Sequence, residues 1–142
     1  MRFMVMVKAT ADSEAGVMPT EAEFAAMGAF NEELVKAGVM ETGEGLHPSS
    51  RGARVVFSGK DRRVIDGPFT ETKEIIAGYT LIEVKSREEA IAWAMRMPDP
   101  DGSGEGQIEL RQVFEAPELT DDAELLADHA ALTQEMERRR QS

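Results

Sequence analysis

Cysteine is absent from the 142-residue chain. That excludes disulfides, cysteine–zinc sites, iron–sulfur clusters and thiol chemistry. Basic residues are few against the acids: 16 Lys and Arg face 27 Asp and Glu, a formal net charge of −11. A general nucleic-acid binder must offer cations to phosphates, so this balance argues against one. It argues equally against adhesion to an anionic membrane surface. No run approaches the roughly 20 apolar residues of a membrane span. The apolar run between Arg2 and Lys8 is too short for a signal sequence, and a cytoplasmic protein is the expectation. Repeats and low-complexity tracts are also missing. What is present is a 42% share of hydrophobic residues, enough for the core of one domain.

The apolar patterning predicts a strand over residues 3–7 and a helix opened by a Thr20/Glu23 capping box. Phe24, Met27, Leu34 and Val35 mark its buried face, with Phe30 near the edge. Gly28 predicts close backbone packing, and Gly38 suits the position just past the helix. Residues 39–46 read as a strand whose Gly43 and Gly45 signal a bulge or a close approach. Residues 53–57 and 63–65 flank Ser58-Gly59-Lys60-Asp61, a hairpin signal. Asp66-Gly67-Pro68 is a turn, and residues 75–84 a central strand. A second capping box, Ser86 and Glu89, opens a helix that Pro98 ends. Residues 108–114 form the last strand. After a linker around Pro117, residues 120–140 form a polar helix. Its acids lie at the N-terminus and Arg138, Arg139 and Arg140 at the C-terminus, matching the helix dipole. Leu125, Leu132 and Met136 give it a packing stripe.

This order is an α+β, ferredoxin-like split βαβ arrangement with an inserted hairpin and a C-terminal helix. One domain over residues 1–114 follows, with a helical extension over 115–142 expected to pack on that domain or on the dimer partner. Both helices of the first lie on one sheet face, so the other face needs a cover, most simply a second subunit.

Charge is unevenly placed. Residues 1–114 carry 19 acids and 13 bases, and residues 115–142 carry 8 and 3. Arg51, Arg54, Lys60, Arg62 and Arg63 oppose only Asp61 in the hairpin. They either pair with acidic surroundings or guide an anionic ligand to the neighbouring turn.

Metal binding is not expected. His47 and His129 are far apart, no H-E-x-x-H occurs, and Asp99, Asp101 and Glu105 fail the calcium-loop ladder. Phosphate-binding glycine loops and serine-nucleophile elbows are missing too. Ser49 and Ser50 have no evident base. The densest chemistry lies in Asp66-Gly67-Pro68-Phe69-Thr70-Glu71-Thr72-Lys73-Glu74, followed by Tyr79. Closely spaced carboxylates can raise one another's pKa, so Asp66 is the acid/base candidate. Phe69 would wall a pocket in which Glu71, Lys73 and Tyr79 hold a polar ligand. The alternative is a plain turn in which Lys73 neutralises Glu71 or Glu74. Glu44 and His47 form a weaker second cluster, since strand alternation sends their side chains to opposite faces.

The Asp66–Glu74 segment resembles the hallmark of the YCII-related, DGPF-domain proteins. Gly43-Glu44-Gly45-Leu46-His47-Pro48 is similar to that family's glycine-rich strand end, and Gly78-Tyr79-Thr80-Leu81-Ile82 to the strand after the hallmark. The resemblance covers residues 1–114. It implies a homodimer built as a dimeric α/β barrel with no settled activity; no cofactor is expected, and a haem-binding barrel enzyme using a histidine is a third, lower reading. It also implies a link of many members to sigma factors, and so two functions: a small-molecule-binding protein or acid/base enzyme, or a regulatory protein contacting a partner. The chain has Ala77-Gly78-Tyr79-Thr80 where the family often has two tyrosines, so a pocket role for a second tyrosine does not carry over.

Overall fold

A computed structural model describes residues 1–100, 102 and 104–142. Asp101, one of the three acids weighed above, lies outside the described residues. The chain forms two compact units, Met1–Gln112 and Val113–Ser142. The first contains β1 (Arg2–Lys8), α1 (Ala11–Glu14), α2 (Glu21–Lys36), β2 (Met40–Gly45), β3 (Ala53–Ser58), β4 (Asp61–Asp66), β5 (Ile76–Glu83), α3 (Arg87–Met95) and β6 (Ile108–Gln112). The second contains α4 (Ala116–Leu119) and α5 (Ala123–Gln141).

Four strands form one antiparallel sheet in the order β2-β5-β1-β6, and β3 and β4 form a separate hairpin. Each helical crossover, β1-α2-β2 and β5-α3-β6, skips one strand position. That is the split βαβ order the sequence predicts. The hairpin turn is also as expected: Ser58 pairs with Asp61, and Gly59 between them has φ +62°.

Register decides which side chains meet the helices. Phe3 opposes Ile82 and Val5 opposes Thr80, so these four share a face. Phe3, Val5, Phe30, Leu34, Val39, Ile82, Val84 and Ala90 form the core there. Leu34 and Ile82 are 1% exposed. Burying a side chain of that size contributes about 1.5–3 kcal/mol. Phe30 meets Trp93 edge-on at 6.4 Å, and Arg96 joins the two helices by a 2.6 Å bond to Glu33. The far face carries Met4, Met6, Tyr79 and Leu81. It is not bare: Met6 is buried and the other three are half-buried.

Several local expectations change. Phe24 and Val35 are exposed, at 74% and 62%. The buried line of α2 runs through Met27, Phe30 and Leu34, a strict helical spacing that leaves Val35 turned aside. Gly28 lies on the exposed side, with open space where a Cβ would stand. Thr20 and Glu23 do form a reciprocal capping box. Ser86 makes only its half, because Glu89 instead accepts from the Lys85 N–H at 2.9 Å. The linker around Pro117 is itself α4. The terminal helix begins later, where Asp122 accepts from the Glu124 and Leu125 N–H groups. Leu125, Leu132 and Met136 are all more than half exposed.

One carboxylate near the edge of the sheet is perturbed. Burial, then a hydrogen bond with Glu83, raises Glu41 above its ordinary 4.5, and Arg2 at 3.7 Å opposes the rise. The folded chain therefore holds this proton more tightly than the unfolded chain. Its stabilising contribution is present below the ordinary value and is lost as pH rises through the raised one. In denaturation series between about pH 4 and pH 7, Glu41→Gln is expected to flatten that decline. An unchanged slope would remove Glu41 as its source.

Candidate functional site

Three glycines make the most conspicuous space in the first unit. Gly43 opposes Thr80 and Gly45 opposes Gly78, so Gly43, Gly45 and Gly78 share the helix-facing side of β2 and β5. Further along the same face stand core side chains such as Ile82. The glycines supply none, and a cavity of about 680 Å³ opens over them. Two of the three are tightly held. A Cβ at Gly43 would come 2.9 Å from the Met40 Cε, and one at Gly78 would come 3.1 Å from the Glu44 carbonyl oxygen. At Gly45 a Cβ would meet only open space.

The walls come from α2 and from the chain after α3. Phe24 and Met27 stand on one side, and Met97, Pro98 and Pro100 on the other. Phe24, exposed as it is, is one of the lining residues. Three polar side chains join them. Asn31 turns an amide oxygen that is shut off from solvent and finds no hydrogen-bond partner. Such an orphan costs about 1–3 kcal/mol. Rotating the amide exchanges its oxygen and nitrogen, so Asn31 can serve as donor or acceptor. Glu23 bonds through Oε1 to Thr20. Asp99 accepts from the Gly104 N–H at 2.5 Å and the Gly106 N–H at 3.2 Å, which folds the loop after Pro98 back on itself.

The Asp66 turn is a different place. Gly67 there is pressed against the Ser49 carbonyl, where a Cβ could not fit, and its N–H bonds the Gly52 carbonyl at 3.0 Å. Ser49 is buried and is the hub of this packing. Its hydroxyl accepts from the Phe69 N–H at 3.0 Å and donates to Glu14 Oε2 at 3.0 Å. The Ser49 N–H donates to the same oxygen at 2.9 Å. The other oxygen of Glu14 is buried without a partner. Arg54 lies 3.8 Å over the Phe69 ring, an arrangement that stabilises by cation–π attraction.

Glu44 and Tyr79 border the cavity and are paired across β2 and β5. Strand alternation turns their side chains to the far face, so they give main chain to the cavity floor. Asp66, Phe69, Glu71 and Lys73 do not line it. Asp66 is exposed at the end of β4, and among the described residues Lys73 makes no ion pair with Glu71 or Glu74. Asp66 and Lys73 therefore do not join Tyr79 at this cavity. His47 is exposed, with Arg51 Nη1 at 3.2 Å from its Nε2. The hairpin cations find rings more than acids: Arg54 takes Phe69, and Arg62 takes Phe57 at 4.6 Å. Among the described residues no group of three His, Asp or Glu side chains is arranged to hold a metal ion. No helix among them is long and apolar enough to cross a membrane.

The YCII-related domain profile matches residues 1–117. The chain belongs to that family. The resemblance carried by Asp66-Gly67-Pro68-Phe69 and the strand around Tyr79 is thereby borne out. This YCII-related chain is 33% identical over 85 residues to an uncharacterized protein of Rhizobium meliloti (strain 1021), covering 60% of itself and 68% of that protein. Among solved structures it is similar to the 5-chloro-2-hydroxyhydroquinone dehydrochlorinase TftG from Burkholderia phenoliruptrix AC1100, in complex with 2,5-dihydroxybenzoquinone. The TM-score is 0.47 at 15% identity, covering 83% of this chain and 98% of that one.

Sequence reasoning missed Glu14, Asn31 and Ser49. Glu14 and Ser49 are 35 positions apart, and nothing in either's neighbourhood signals the other. The cavity had a partial signal in Gly43 and Gly45, since glycine inside a strand marks missing side-chain volume. Ser49→Ala would leave the Phe69 N–H unpaired and Glu14 Oε2 with the Ser49 N–H alone, a loss expected to cost about 1–3 kcal/mol. Gly67→Ala should cost more, because its neighbour is main chain that cannot yield. Urea denaturation of both variants checks the order, and a neutral Gly67→Ala would contradict the packing described.

Proposed function

We propose that this YCII-related protein binds a small molecule in the cavity over Gly43, Gly45 and Gly78. The observation that carries the reading is the cavity itself, at about 680 Å³. Ligand sites of this kind are apolar clefts of roughly 300–1,000 Å³ with a few convergent polar groups. Phe24, Met27, Met97 and Pro98 supply the apolar walls and Asn31 the polar group. Binding is favoured over acid/base catalysis because Glu23 and Asp99, the acids whose side chains reach the cavity, are engaged with Thr20 and with loop N–H groups.

The homodimer expected of the family fold would have apolar surface to use. Val55, Phe57 and Val64 share one face of the β3–β4 hairpin and are 55–66% exposed. Interaction with a regulatory partner is the second reading, favoured by the exposed line of Leu125, Leu132 and Met136 on α5.

Two substitutions separate binding from folding. Gly45→Leu projects into the cavity from its floor, where a Cβ meets no neighbour, and is expected to abolish ligand binding with little loss of stability. Asn31→Leu removes the orphan oxygen and is expected to raise stability by about 1 kcal/mol while weakening binding. Thermal melts with and without a bound fragment check both. Undiminished binding in Gly45→Leu would place the ligand elsewhere.

A further inference from the structure

Within its own unit α5 has only α4 to pack against. That helix is four residues long, and Leu119 at its end is itself exposed. A helix draws most of its stability from burying one face, and the apolar face of α5 is unburied. Leu125, His129, Leu132 and Met136 recur there at spacings of four, three and four. At 3.6 residues per turn they span only about 60° of arc, the narrow seam by which one helix pairs with another. All four are exposed.

Charge is divided along the same helix. Asp121, Asp122 and Glu124 stand at its N-terminal end and Arg138, Arg139 and Arg140 at the other. Arg138 and Arg139 each give one nitrogen to Glu135 of their own helix. A guanidinium carries five N–H donors, so both keep donors to spare. Turned end for end about its middle, between Ala130 and Ala131, α5 matches itself. Leu125 falls opposite Met136 and His129 opposite Leu132. Beyond them Asp122 falls opposite Arg139 and Asp121 opposite Arg140. Such self-complementarity is what a twofold contact between identical chains requires. Antiparallel packing also sets the helix dipoles head to tail. Parallel packing would set acid against acid and arginine against arginine.

We propose that α5 pairs antiparallel with α5 of a second copy of this chain. The apolar seam is buried between the two helices, and each acidic end meets the arginines of the other helix. The pairing is independent of the ligand cavity, and it takes the seam away from any regulatory partner.

A chain without cysteine allows a direct test at full length. In the double variant Leu125→Cys/Met136→Cys the two thiols lie about 16 Å apart along the helix, too far to join within one chain. Across an antiparallel pair each faces its counterpart. Air oxidation with copper–phenanthroline is expected to link this variant into a dimer on a non-reducing gel. Leu125→Cys alone and Met136→Cys alone are expected to stay unlinked. Ala127→Cys/Gln134→Cys takes mirrored positions on the opposite side of the helix and is also expected to stay unlinked. Adding Leu132→Lys to the first variant puts a charge in the seam and is expected to slow linking about tenfold. Failure of the first variant to link overturns the pairing, and so does linking of either single variant. Equally fast linking of the opposite-face variant, or linking unslowed by Leu132→Lys, overturns it as well.

Discussion

The pairing of β1 between β5 and β6 is the constraint on which the first unit depends. It fixes register across the sheet, and register fixes the face of every side chain. Phe3 opposite Ile82 and Val5 opposite Thr80 put the core beneath α2 and α3. The same count, carried across β5 to β2, sets Gly78, Gly43 and Gly45 on that face too. A shift by one residue would turn those glycines outward and send Glu44 and Tyr79 into the helices. Core and cavity are thus two ends of one surface, filled where the strands carry Ile and Val and open where they carry glycine.

The family hallmark serves a different end. Its Gly67 is pressed onto Ser49, whose hydroxyl and N–H are bound by Glu14 while its oxygen receives the Phe69 N–H. These contacts anchor the loop between the hairpin and β5. A cluster of acids beside a Gly-Pro turn reads as chemistry when only spacing is available. Built in three dimensions, its most constrained residues are the glycine and the phenylalanine, and its acids face solvent.

Much of the fold was legible because it follows local rules. Apolar runs gave β1 and β5, the Thr20/Glu23 box gave the start of α2, and Gly59 gave the hairpin turn. The buried line of α2 was harder, since Phe24 and Val35 are as apolar as Phe30 and only packing against the sheet separates them. The candidate site was legible in part. Glu44 and Tyr79 do lie beside the cavity, but by main chain. Glu14, Asn31 and Ser49 were invisible because their meaning lies in partners distant in sequence, or in the lack of a partner.

Methionine gives the cavity a property that the absence of cysteine conceals. Met27 and Met97 stand on opposite walls of the space over the glycines. A thioether is soft and adapts to irregular apolar shapes. Oxidised to the sulfoxide, it becomes polar and chiral. Two of the nine methionines of this thiol-free chain therefore lie where a ligand would lie. Oxidation at those two positions would change the shape of the cavity and leave the covalent framework intact.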